Sequence, residues 1–136
     1  MGRVLVLGFL LFVSFGSSAK EEEMPVSLTG AQGDPVRGRA LVANRQVGLC
    51  LLCHSGPFPE ERFQGNLAPD LRSAARLTEG AIRARIVDPR KSNPDSIMPA
   101  YFDARGLARV APSLQGRTLL TAEQIEDIVA YLLTLK

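Results

Sequence analysis

Both cysteines and the only histidine of this 136-residue chain fall within one short run, Cys50-Leu51-Leu52-Cys53-His54. Positions three and four apart share one side of a helical turn. On such a turn Cys50 presents beside both Cys53 and His54. Two thiols at that spacing can reach the two vinyl groups of one porphyrin, with the imidazole below its iron. Three other readings compete. A structural zinc site needs four ligands, and the run offers three. A thioredoxin-type pair needs a strand-to-helix setting that the flanking residues lack. A plain disulfide leaves the adjacent histidine without a role. The run therefore predicts one covalent haem c, attached through Cys50 and Cys53, with His54 as an axial iron ligand.

With a single histidine, bis-histidine ligation is excluded. Apart from Met1 the methionines are Met24 and Met98. Met98 precedes Pro99, and a residue before proline is steered to extended geometry, as in a loop. Met98 is the expected second axial ligand. Lys91 is the rival, and plain core filling is the ordinary alternative. His/Met ligation suits electron transfer and raises the reduction potential. Leu67, Leu71, Ile86, Ile97, Tyr101 and Phe102 are the expected walls of the cofactor crevice. Arg62, Arg83, Arg85, Arg90 and Lys91 are candidates to meet propionates or an anionic partner. The Pro69 carbonyl is placed to accept from the free nitrogen of His54; an ordinary loop proline is the equal alternative.

The remainder of the chain frames this site. Arg3, the apolar run 4–13 and Ser17-Ser18-Ala19 form a secretory leader over residues 1–19, too short to span a bilayer as a mature helix. This predicts a periplasmic protein with no membrane anchor, in an oxidising compartment. Arg3 is the only charged residue before Lys20, so cleavage takes the net charge from +2 to +1. That balance argues against nucleic acid as a partner. Residues 20–33 have no apolar period and read as an extended or mobile arm. The domain then spans 34–136. Asp34 and Pro35 open a helix with Val36, Ala40, Ala43 and Val47 on one face, ended by Gly48. After a proline-rich loop at 55–70, Thr78 caps a helix bearing Ile82 and Ile86, stopped by Asp88-Pro89. The Met98 loop follows. Thr121 to Gln124 then form a capping box before an apolar stripe of Ile125, Ile128, Val129, Leu132 and Leu133. Long loops on so few helices need a large apolar body to pack against, which a haem supplies.

Helix, C-x-x-C-H, proline loop, helix, Met loop and C-terminal helix together resemble a class I cytochrome c, an all-α fold. Longer stretches resemble the SoxX family. They are Ser27 to Gly30 with Gly33 to Ala40, the whole of Cys50 to Leu71, Asn93 to Tyr101, and Arg109 to Pro112. That resemblance implies the monohaem subunit of a periplasmic SoxAX complex, an L-cysteine S-thiosulfotransferase. Such a complex joins thiosulfate oxidatively to a cysteine of the carrier SoxYZ. It implies a heterodimer with a SoxA-type cytochrome that holds the catalytic cysteine, and a downstream cytochrome that accepts the electrons. It also implies His/Met ligation, here by His54 and Met98. No thiol remains once Cys50 and Cys53 hold haem, so this chain is expected to be inactive alone. The competing functions are a free-standing electron carrier and a haem protein with an open iron.

Overall fold

The computed structural model describes residues 22–105 and 109–135. Three α-helices carry it: α1 (Pro35–Ala43), α2 (Glu79–Val87) and α3 (Ala122–Leu133). Short 3-10 turns lie at Cys50–Leu52, Leu71–Arg76, Pro89–Lys91 and Pro112–Leu114. No strand occurs among the described residues. The leader predicted over residues 1–19 lies outside them.

Each helix begins where local chemistry satisfies its first free N–H groups. Asp34 Oδ1 accepts from the amides of Val36 and Arg37 at 2.7 and 3.1 Å, and Pro35 fills the first turn. Thr78 Oγ1 accepts from Ala81 N at 3.1 Å. Thr121 and Gln124 form the reciprocal capping box, at 3.2 and 2.9 Å. α2 stops at Asp88 because Pro89 cannot continue it.

Helix α1 corrects two expectations. It ends at Asn44, not at Gly48. Ala43 and Val47 pack against the core as expected, but the buried positions are Gly38 and Val42, whereas Val36 is 78% exposed and Ala40 is exposed as well. The reason is a close crossing with α3, the partner against which α1 makes most of its contacts. A Cβ at Gly38 would lie 1.9 Å from the Asp127 carbonyl oxygen. Only a glycine allows the two backbones that near, and apolar periodicity cannot register a residue without a side chain.

Ile125, Ile128, Val129 and Leu132 of α3 are buried with Val42, Leu51, Phe58, Ile82, Ile86, Tyr101 and Leu120. Two carboxylates interrupt this stripe. Glu126 faces α2, where Arg83 Nε and Nη2 reach its two oxygens at 2.8 and 3.0 Å. Asp127 faces α1, accepting from Asp34 N at 2.6 Å and Arg37 Nε at 2.7 Å. Burial opposes ionisation of both acids, but their arginine and amide donors outweigh it and hold both pKa values below the usual carboxylate range.

The described segment before Asp34 forms no helix, bends at residues 28–31, and is pinned at several points. Met24 N donates to the Gly80 carbonyl at 3.1 Å. Leu28 N donates to Glu126 Oε1 at 2.9 Å, and the Met24 carbonyl accepts from Arg83 Nη1 at 2.5 Å. Met24 and Leu28 both pack against the core. No helix among the described residues is long and apolar enough to cross a membrane.

Candidate functional site

The chain leaves α1 through a tight reversal. Asn44 Oδ1 accepts from the amides of Gln46 and Val47, at 2.9 and 3.1 Å. Its carbonyl accepts from Gly48 N and Leu49 N, both at 3.1 Å. Leu49 then adopts the left-handed region, φ 61° and ψ 0°, a conformation that costs a non-glycine residue about 1 kcal/mol. That residue launches the turn carrying the motif. Within it Cys53 N and His54 N both donate to the Cys50 carbonyl, at 3.2 and 2.9 Å. Leu51 is buried and anchors the turn in the core, while Leu52 faces outward.

Cys50 and Cys53 are both half-buried and unpaired. Burial pushes the Cys50 thiol up to about 11, so the free thiol is protonated at neutral pH. Cys50 Sγ points to the Gly48 carbonyl at 3.3 Å, which also accepts from the buried Tyr101 hydroxyl at 2.8 Å. Burial likewise raises the Tyr101 phenol well above its usual range. Among the described residues no three Cys, His, Asp or Glu side chains converge as a metal-ion site requires. Two unpaired thiols and an imidazole, displayed along one turn without converging, fit a broad group with separate points of attachment.

His54 Nδ1 lies 2.6 Å from the Pro69 carbonyl. A carbonyl only accepts, so Nδ1 carries the proton and Nε2 is left with its lone pair for a metal. The proline loop is fastened along the same turn. Gly65 N donates to the Leu51 carbonyl at 2.9 Å and Ala68 N to that of Cys53 at 3.0 Å. A Cβ at Gly65 would meet the Leu52 oxygen at 2.4 Å, so only glycine lets the loop lie this close. Gln64 braces the loop from within, accepting from Gly56 N at 2.6 Å and donating to the Phe58 carbonyl at 2.8 Å.

Met98 is half-buried and packs against the core from its own loop. The end of that loop is sewn to the scaffold: Tyr101 N donates to the Ile86 carbonyl and Phe102 N to that of Val87, at 3.1 and 3.2 Å. Of the expected walls, Ile86 and Tyr101 are buried, and Leu71 and Phe102 are half-buried against the core. Leu67 and Ile97 are 67% and 76% exposed.

The basic candidates divide. Arg83 is fully buried in its pair with Glu126, so it cannot meet a propionate or a partner. The expectation fails because a sequence shows a charge but not the acid folded against it from α3. Arg90 is held by Asp88 at 2.9 Å. Arg62, Arg85 and Lys91 are exposed. Sequence reasoning did not single out Ser55, Gln64, Gly65, Asp70 or Glu126. For Glu126 a signal existed, an acid placed between the buried Ile125 and Ile128.

A crystal structure of SoxXA from P. pantotrophus contains a chain with this fold. It superposes with a TM-score of 0.77 at 34% identity, over 85% of this chain and 91% of that one. No family model matches the sequence, and no curated protein does. Helices, turn and loops of this arrangement define a class I cytochrome c. Within that class the chain belongs to the SoxX family.

Proposed function

We propose that this chain is the electron-accepting subunit of a SoxAX-type complex, with one haem c bound through Cys50 and Cys53 and its iron held by His54 and Met98. The observation that carries the site is the 2.6 Å bond between His54 Nδ1 and the Pro69 carbonyl, on a turn bearing two unpaired thiols. It commits one ring nitrogen and leaves the other free to bind a metal. The haem, when bound, supplies a reversible one-electron centre. Leu51 and the Gly48 carbonyl hold the turn. Pro69 holds the imidazole in one tautomer, and the packed Met98 loop offers a soft thioether. If His54 and Met98 both held the iron, they would leave substrate no place to bind it.

The role in a complex follows from an inventory. Joining thiosulfate to a carrier cysteine requires a sulfur-carrying thiol and an electron acceptor. The sequence has two cysteines, and both are assigned to haem. The catalytic thiol therefore belongs to a SoxA-type cytochrome partner, with SoxYZ as carrier and a downstream cytochrome as electron outlet. The likeness to a SoxXA chain supports this assembly, and the expected leader supports a periplasmic location. The test of the site is acid–acetone extraction of the purified protein. Colour should stay with the wild type and with Cys53→Ala through its one remaining thioether, and leave with Cys50→Ala/Cys53→Ala. Free extraction from the wild type would refute it.

A further inference from the structure

The bond between His54 and Pro69 is one rung of a short parallel ladder. Ala68 N donates to the Cys53 carbonyl at 3.0 Å. His54 Nδ1 donates to the Pro69 carbonyl at 2.6 Å, and Ser55 Oγ to Asp70 Oδ2 at 2.9 Å. Each pair is 15 residues apart. Leu71 N closes the ladder on the Ser55 carbonyl at 2.8 Å.

The middle rung is the vulnerable one. Pro69 is exposed, so water competes for its carbonyl, and proline has no N–H with which to anchor itself. The direction of that carbonyl is set by the peptide plane it shares with the amide of Asp70. Whatever holds Asp70 holds the plane. Asp70 is held twice. Oδ1 accepts from Arg72 N and Nε, both at 2.9 Å. Oδ2 accepts from Ser55 Oγ and from Arg72 Nη2, also at 2.9 Å. The Arg72 contacts cap and steady the 3-10 turn that follows. Among the described residues, the Ser55 contact is the one side-chain bond tying Asp70 to the segment that carries His54.

We propose that Ser55 and Asp70 are positioning residues for the His54 imidazole. Their hydrogen bond locks the Pro69 peptide plane and through it the ring's rotation and tautomer. This rests on the reading of His54 as an iron ligand. A firm Nδ1 donor bond makes the imidazole a more basic ligand, which favours ferric over ferrous iron. Loosening the plane weakens that bond and raises the reduction potential. A role confined to capping the 3-10 turn forecasts no change on losing the Ser55 hydroxyl, which takes no part in that cap.

The experiment uses the loaded, full-length protein in its reduced state. It reads solvent exchange of the His54 Nδ1 proton by nitrogen-edited NMR, with the midpoint potential measured alongside. Ser55→Ala should speed that exchange about tenfold, one ordinary hydrogen bond's worth, and shift the potential upward. Circular dichroism should be unchanged, since Asp70 keeps its bonds to Arg72. Ser55→Thr, which retains the hydroxyl, should restore both readings. A Ser55→Ala protein whose Nδ1 proton exchanges as slowly as the wild type overturns the proposal and leaves the ligand assignment standing. A wild-type His54 ring without the upfield shifts imposed by a bound porphyrin overturns both.

Discussion

Replacing Glu126 with alanine removes the main partner of Arg83, the most deeply buried charge among the described residues. Arg83 has no exposed side-chain surface, and Glu126 provides both of its charge-assisted contacts from α3. Removing one partner of a buried pair costs about 3–5 kcal/mol. Arg83 retains Glu79 and the Met24 carbonyl, which places the loss near the lower end. Leu28 N loses its acceptor as well. The expected cost is therefore about 3 kcal/mol, or roughly 12 °C in Tm at about 4 °C per kcal/mol for a domain of this size. The pH dependence has a definite sign. Arg83 and Leu28 lower the folded-state pKa of Glu126 below its ordinary 4.5. A depressed carboxylate contributes fully above the unfolded value, and its contribution fades as pH falls through the folded value. The gap between wild type and Glu126→Ala should thus be wider at neutral pH than at an acid pH below 4.5, where the folded carboxylate takes up its proton. Acids that share no partner with Arg83 titrate alike in both proteins, so their contributions cancel in the difference. The assay is urea denaturation followed by circular dichroism at the two pH values. An Arg83→Met/Glu126→Leu protein should recover most of the loss, because an apolar pair of similar volume leaves no stranded charge. A cost below about 1 kcal/mol at neutral pH, or one equal at both pH values, would refute the reasoning.

Three further outcomes are expected. Met98→Ala should open the iron, abolish the far-red sulfur-to-iron absorption of the ferric protein and lower its reduction potential; an unchanged spectrum would remove Met98 from the iron. Gly38→Ala places a methyl 1.9 Å from the Asp127 carbonyl oxygen. It should cost about 1–3 kcal/mol in thermal or urea unfolding by forcing α1 off α3. In stopped-flow mixing, thiosulfate should reduce the haem only when the partner cytochrome and the carrier are both present. Rapid carrier-dependent turnover by the isolated chain would show a catalytic group in this subunit.

How far the chain was legible followed the range of the interactions. The capping box at Thr121, the Thr78 cap and the stop at Pro89 were readable because each depends on residues a few positions apart. Val36 and Ala40 were misplaced on the buried face of α1 because its defining contact, Gly38 against Asp127, joins residues distant in the chain through an absent side chain. Arg83 resembled a surface cation for the same reason, since its acid lies on another helix.

Local order alone determined the turn that displays Cys50, Cys53 and His54 together, along with the three helix starts and the proline stop. Hydrogen bonds that close within one turn need no tertiary contact to define them. The tertiary structure decided between the two readings of Pro69 in favour of the bond to His54, and it alone decided that Ser55 meets Asp70 and that Arg83 is withdrawn from the surface. Those contacts form only when the loop from Ser55 to Asp70 folds back along the motif and α3 closes on α1 and α2. The energy that selects them belongs to the packed whole and leaves no period in the sequence.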